Sequence, residues 1–268
     1  MHRAVLPLRG HGQAPRELLM LRCTKRDKGL IVKCSLCRWL TTTQIQRLYF
    51  PTKTINAVQK RLRKLTEAGY LRTHREGMGS EALHTTGPKG KIIFEEKGLE
   101  YTGGNEVSRQ IEHLVGVNDI RIAVETGAIP VAYFFAHWQL GHLGWMHPVI
   151  PDAVFALVLP GRRTFAVEYD RATESVSVLV TKLCTYQESV PGFPFEAVVI
   201  ITERDRRMDA LGREIRKRNI SLRVLVASLG ELRTKTIVDC SFVHLADGAR
   251  QKLLDPIYSE KSADNPAP

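Results

Sequence analysis

Long apolar runs are missing from this chain: none approaches the roughly 18 to 20 residues that a membrane span requires. The opening stretch "MHRAVLPLRGHGQAP" also lacks an apolar segment long enough for a secretory signal. Both absences predict a cytoplasmic protein. Cysteine is scarce, at five in 268 residues, and an odd number so spread argues against a disulfide framework. Cys34 and Cys37 form a lone C-x-x-C without the second pair that a four-ligand zinc site normally shows, so they read as small residues packing a helix start. The histidines of "HWQLGHLGWMH", His137, His142 and His147, recur every fifth residue. Metal ligands on one helix face stand four apart, so this stretch reads as a loop with aromatic anchors.

What is present is a globular composition, 43% hydrophobic and 25% charged, in a chain long enough for one large or two small domains. The net charge of +11 is unevenly placed. Residues 1–105 carry 20 Lys/Arg against 8 Asp/Glu, a net +12, and residues 106–268 carry 19 against 20, a net −1. A basic footprint confined to one segment predicts a polyanion-binding module beside a near-neutral domain.

In the basic segment, "TTTQIQRLYFP" reads as a short helix with Thr41 and Gln44 as a capping box and Pro51 as its stop. A helix-like pattern at Ile31, Leu36 and Leu40 precedes it. In "KTINAVQKRLRKLTEAGYL", Val58, Leu62 and Leu65 share one helix face and Gly69 stands at the C-terminal cap. Lys53, Lys60 and Lys64 form a stripe opposite that face, flanked by Arg61 and Arg63. Two strands around a Gly-rich turn are predicted next, carrying Arg72, Arg75, Lys89 and Lys91. Helix, helix, basic helix and basic hairpin is the order of a winged helix-turn-helix. The run "LTTTQIQRLYF…VQKRLRKLTEAGYLR" resembles bacterial winged-helix DNA-binding domains, which lay the basic helix in the major groove and touch phosphates with the wing.

From residue 106 the pattern changes to αβββαβαβ: a helix through "IEHLVGVNDIRIAV", strands at 131–137, 153–159 and 164–169, then helix, strand, helix and strand. The stretch "PDAVFALVLPGRRTFAVEYD" is a hairpin with Asp152 at its start and Glu168 and Asp170, two apart on one strand face, at its end. Carboxylates gathered this way suit Mg²⁺ or Mn²⁺, and their crowding predicts a mutual repulsion that a divalent ion relieves.

The "PD…E-x-D" pattern within αβββαβ resembles the PD-(D/E)XK nuclease superfamily, whose acids hold divalent ions and whose lysine orients the attacking water. That lysine's usual position is Asp170 here; Lys182, on the next helix, is the available counterpart, with Tyr186 four residues on. Taken with the N-terminal segment, "IEHLVGVNDIRIAV", "PDAVFAL", "FAVEYDRATES" and "KLCTY" resemble the replication-relaxation family over roughly residues 35 to 230, an arrangement shared with restriction-endonuclease-like mobilisation relaxases. The resemblance implies an α/β protein: an N-terminal extension (1–30), a winged helix-turn-helix (31–104), a restriction-endonuclease-like αβββαβ domain with a mixed sheet (105–250) and a disordered tail (251–268). It implies nicking or processing of double-stranded plasmid origin DNA, beside other mobilisation or replication proteins, with Mg²⁺ or Mn²⁺ on Asp152, Glu168 and Asp170. Lys182, Tyr186 and, from the preceding helix, His113 and Asp119 complete the candidate catalytic set. The alternatives are a non-catalytic DNA-binding accessory or regulator on a vestigial nuclease-like scaffold, and a ligand-sensing repressor, for which the sequence carries no ligand mark.

Overall fold

The computed structural model describes residues 21–101, 107, 110–159, 161–189, 195–204 and 206–255. Residues 1–20 of the predicted N-terminal extension and residues 256–268 of the predicted tail (251–268) lie outside these residues, whereas Leu253 and Leu254 of that tail are buried in the core.

The chain enters its first helix, α1 (Lys25–Leu36), because Thr24 and Asp27 form a reciprocal capping box. This start lies inside the segment read as an extension. Cys37 caps the C-terminus of α1, so Cys34 and Cys37 close a helix rather than open one, both fully buried and free of disulfides. A two-residue strand β1 (Leu40–Thr41) leads into α2 (Thr42–Tyr49), which has the predicted Thr41–Gln44 box and ends at Phe50, before Pro51. Helix α3 (Ile55–Glu67) buries Val58, Leu62 and Leu65. It closes on Gly69 at φ 81, with Gly69 N–H bonding Thr66 O and Tyr70 N–H bonding Leu65 O. That is a Schellman cap, in which a side chain on Gly69 would be strained. The hairpin β2 (Leu71–His74) and β3 (Leu83–Thr86) is antiparallel as predicted, and β3 also pairs β1 to give the order β1-β3-β2. Lys91 opens the short helix α4 (Lys91–Glu96) and does not belong to the hairpin.

Helix α5 (Ile111–Glu125) begins the second unit. Strands β4 (Val131–Ala136), β5 (Ala153–Leu159), β6 (Gly161–Asp170), β7 (Ala197–Thr202) and β8 (Val224–Ser228) follow, with helix α6 (His137–Leu140) after β4, α7 (Val176–Ser189) between β6 and β7, and α8 (Arg206–Lys217) between β7 and β8. The predicted αβββαβαβ order holds. A short helix α9 (Leu229–Leu232) and strands β9 (Phe242–His244) and β10 (Arg250–Gln251) add to it. The sheet is mixed, ordered β10-β9-β8-β7-β6-β5-β4, parallel across β6-β7-β8 and antiparallel elsewhere. Alternate residues of β6 and β7 point to opposite faces. Val167, Tyr169, Val199 and Ile201 pack toward α5, while Val198 and Ile200 pack toward α7 and α8. Among the described residues no helix is long and apolar enough to cross a membrane.

Helix α5 serves two units at once, and its polar residues Asn118, Asp119 and Arg121 are buried with its apolar ones. Gly116 lets it approach β6: a Cβ there would fall 2.0 Å from Tyr169 Cε1. On its other side, Asn118 Nδ2 donates to Cys37 O at 3.0 Å and Trp39 O at 2.8 Å, and Gln44 Nε2 donates to Val115 O at 2.8 Å. Asp119 accepts from Gln44 and from the guanidinium groups of Arg47 and Arg233. Lys33 pairs Glu125 at 2.6 Å.

Candidate active site

Three strand ends meet at one edge of the second sheet. Ala136 pairs Ala153 across β4 and β5, and Ala153 pairs Val167 across β5 and β6. The residues just beyond these pairs, His137, Asp152 and Glu168, are thereby brought together. The backbone fixes the join: His137 N–H donates to Asp152 O at 2.8 Å, and Asp152 N–H donates to Val167 O at 3.0 Å. This edge lies at the carboxyl ends of the parallel strands β6 and β7, where crevices in such sheets open. A cleft of about 480 Å³ occupies it, lined among others by His113, His137, Asp152, Glu168, Asp170, Lys182 and Arg207.

Each acid already has a partner. Asp152 Oδ1 lies 3.1 Å from His113 Nε2, and its Oδ2 accepts from Tyr169 N–H at 2.7 Å. Burial works against the Asp152 charge, but the hydrogen bond and charge of His113, the charge of Lys182 and the Tyr169 amide outweigh it and hold the carboxyl below its usual range. Burial also opposes the charged form of His113, yet its hydrogen bond to Asp152 and the charges of Asp152 and Glu168 raise its pKa. Glu168 is buried, with Oε2 accepting from Lys182 Nζ at 2.5 Å and Oε1 from Tyr186 O–H at 2.6 Å. Burial first, then the charge of Asp152, pushes its pKa up to about 7 against the pull of Lys182 and Tyr186. Lys182 and Tyr186, four apart on α7, reach Glu168 from one helix side. Tyr186 is itself buried, and burial and Glu168 drive its phenol far above the ordinary range.

Asp170 faces the same side of β6 but is held apart from the other acids. Arg207 Nε and Nη2 grip its two oxygens at 2.6 and 2.9 Å. Ala172 N–H and Thr202 O–H donate to it as well. Each acid thus has a cationic partner, His113, Lys182 or Arg207. The expected repulsion persists between Asp152 and Glu168, where the Asp152 charge helps to raise the Glu168 pKa. Asp119 is not among the residues lining this cleft. Six residues beyond His113 on α5, it accepts from Gln44, Arg47 and Arg233 and ties α5 to its neighbours.

The five-residue spacing predicts a loop anchor at His137, yet the residue stands inside the cleft. Spacing within "HWQLGHLGWMH" could not reveal this, because its companions come from other elements. The signal was the register: a residue just past β4 lies opposite the residue just before β5. Burial chiefly, and the charge of His113, lower the His137 pKa. Its Nδ1 is buried and has no hydrogen-bond partner among the described residues. His113, His137 and Asp152 offer ligand atoms all within 4.8 Å of one another. Both Asp152 oxygens are engaged too, but one of them by His113 of the same group, whereas Glu168 and Asp170 give both oxygens to Lys182, Tyr186 and Arg207 outside it. A divalent ion accepting nitrogen therefore fits the residues present better than an ion requiring an all-oxygen set.

On the first unit, Lys60, Arg63 and Lys64 are exposed along α3, Lys53 is exposed just before it and so falls outside the predicted helix stripe, and Arg72, Arg75, Lys89 and Lys91 are exposed on and beyond the hairpin. Lys60, Arg63 and Arg75 line one groove between α3 and the hairpin. Arg61 departs from the predicted basic face. It turns inward to Asp27, donating through Nε at 3.1 Å and Nη2 at 2.5 Å, and Asp27 is fully buried.

The model of a family described as Replication-relaxation matches residues 35–195. A comparison with curated proteins gave no match.

Proposed function

The chain belongs to the replication-relaxation family, which points to a role in replication or mobilisation, and from that premise we propose that it is a DNA-binding, metal-dependent nicking enzyme acting on the origin DNA of a mobile element. The observation that carries this reading is the meeting of Asp152, Glu168 and Lys182 in one cleft at the carboxyl ends of the parallel strands. The order α1-β1-α2-α3-β2-β3, with an exposed row of basic residues on α3 and the hairpin, supports a winged helix that grips duplex DNA. The αβββαβ order with Asp152 immediately before β5 and Glu168 on the neighbouring β6 supports a PD-(D/E)XK-type nuclease unit.

Phosphodiester cleavage needs an activated water, a group to take its proton and positive charge near the pentacoordinate transition state. Glu168, with a pKa raised to about 7, is suited to exchange a proton near neutrality. The Lys182 ammonium beside it is suited to orient the water and offset charge on the phosphoryl oxygens. Tyr186 positions Glu168; its buried phenol, committed to that carboxylate, is not the nucleophile. A divalent ion, when bound, supplies Lewis-acid stabilisation of the phosphate, and His113, His137 and Asp152 are the residues that would hold it.

The test is relaxation of supercoiled plasmid carrying the element's own origin, in Mn²⁺ or Mg²⁺. Lys182→Ala and Glu168→Gln should each lower the nicking rate by roughly 100-fold or more, since general acid–base groups contribute about that much. A second reading is favoured by the bidentate seal of Arg207 on Asp170, at the position where such nucleases carry their lysine. It makes the unit a scaffold for DNA binding. Retained binding to origin DNA with no nicking in either metal would select it.

A further inference from the structure

The acids alone suggest a hard, all-oxygen site for Mg²⁺, but two of the three are closed. Glu168 is held by Lys182 and Tyr186, and Asp170 by Arg207. We propose instead that His113, His137 and Asp152 bind one divalent transition-metal ion of the Mn²⁺ to Zn²⁺ range through two imidazoles and one carboxylate.

Three observations carry this. First, the ligand atoms lie within 4.8 Å of one another although they come from three places in the chain: helix α5, the residue after β4 and the residue before β5. Backbone pairing holds two of them, since the β4–β5 register and the His137 N–H to Asp152 O bond fix His137 beside Asp152. The third arrives because Gly116 lets α5 lie against Tyr169, whose ring is 5.2 Å from that of His113. Secondly, His137 Nδ1 is buried without a partner among the described residues, an arrangement that costs free energy and calls for an explanation such as an ion. Thirdly, the donor set is chemically selective. Imidazole nitrogen suits Zn²⁺, Fe²⁺ and Ni²⁺, and a site with nitrogen donors gains affinity along the first-row series from Mn²⁺ upward, whereas Mg²⁺ demands oxygen and keeps its waters. A hydrogen bond between His113 Nε2 and Asp152 Oδ1 holds two of the ligands together, and the ion would take the place of their shared proton. Three protein ligands would leave coordination positions free, and Glu168 and Lys182 line the same cleft.

The inference rests on the nuclease reading for what the ion is for, but its binding can be tested separately. The full-length chain, stripped with a chelator, is titrated calorimetrically with Mn²⁺, Zn²⁺ and Mg²⁺, and the Mn²⁺ form is examined by pulsed electron paramagnetic resonance. The expected result is one Mn²⁺ or Zn²⁺ per chain, bound at least tenfold more tightly than Mg²⁺, with nitrogen couplings from imidazole. Loss of an outer-shell partner alone costs a metal site about 10- to 100-fold, so His137→Gln should weaken binding by at least about tenfold. His142→Gln, an exposed histidine of the same stretch, should leave it unchanged. Absence of nitrogen coupling in the wild type would overturn the proposal without any variant needing to fold. Equal affinity in His137→Gln, with its melting curve intact, would do the same. Metal binding as described without plasmid nicking would sink the nuclease reading and leave this site standing. Nicking that runs on Mg²⁺ and ignores His137→Gln would have the opposite effect.

Discussion

Replacing Glu168 by Gln should change how the protein's stability depends on pH. The buried carboxyl has a folded pKa of about 7, against an ordinary value of 4.5. Between those values the folded protein holds a proton that the unfolded chain has released, so this group contributes stability that is complete below the lower value and is lost as pH rises through the upper one. At about 1.4 kcal/mol per pH unit, the interval comes to roughly 3 kcal/mol. Glutamine keeps the shape, can accept from Lys182 and can bond the Tyr186 hydroxyl, but it cannot titrate. Urea unfolding of both proteins at about pH 5 and about pH 8 isolates the effect, because the other titrating groups are common to both. The wild type should lose stability relative to Glu168→Gln between the two conditions, by up to roughly 3 kcal/mol. Parallel curves would refute the raised pKa, and with it the argument that Glu168 exchanges a proton near neutrality.

Adjacent residues on α3 should behave oppositely. Lys60→Ala with Lys64→Ala should lower DNA affinity and flatten its dependence on salt by about two in log–log slope while leaving the melting temperature unchanged, because each removed phosphate contact releases about one counterion fewer. Arg61→Ala should leave that slope alone and destabilise the fold by about 3 to 5 kcal/mol, as it abandons the fully buried Asp27. Gly116→Ala should cost about 1 to 3 kcal/mol or more in denaturant unfolding despite alanine's better helix propensity, since its Cβ overlaps the Tyr169 ring.

The parts of this molecule that obey local rules could be read directly from the sequence. Capping at Thr41, the helix stop at Gly69, the turn-separated strands and the alternation along β6 each depend on residues a few positions apart. The acid–lysine group was legible for the same reason, since Asp152 sits immediately before β5, Glu168 on the neighbouring β6 and Lys182 on the helix that follows. What escaped depends on partners distant in the chain. Arg61 looks like a flank of the basic face until Asp27, 34 residues away, is folded beneath it. Asp119 looks like a neighbour of His113 until Arg47 and Arg233 claim it. His137 belongs to a side-chain group with His113 and Asp152 that no spacing within its own stretch can express. β9 and β10, three and two residues long, carry too few side chains to show an alternation.

The two-sided burial of α5 bears on how such a protein would measure distance along DNA. On the nuclease reading, an enzyme that grips one stretch of duplex and cuts another needs a constant offset between the two, and something must act as its ruler. Here that ruler is neither the covalent segment between the units nor its length. It is α5 itself, whose one side carries His113 into the cleft while Asn118 and Asp119 hold the backbone at Cys37 and Trp39 and the side chains of Gln44 and Arg47. About one and a half turns of one rigid helix separate the ligand from these anchors. The break would thus keep the same helical phase relative to the bound site, and the nicked strands would end on a single nucleotide.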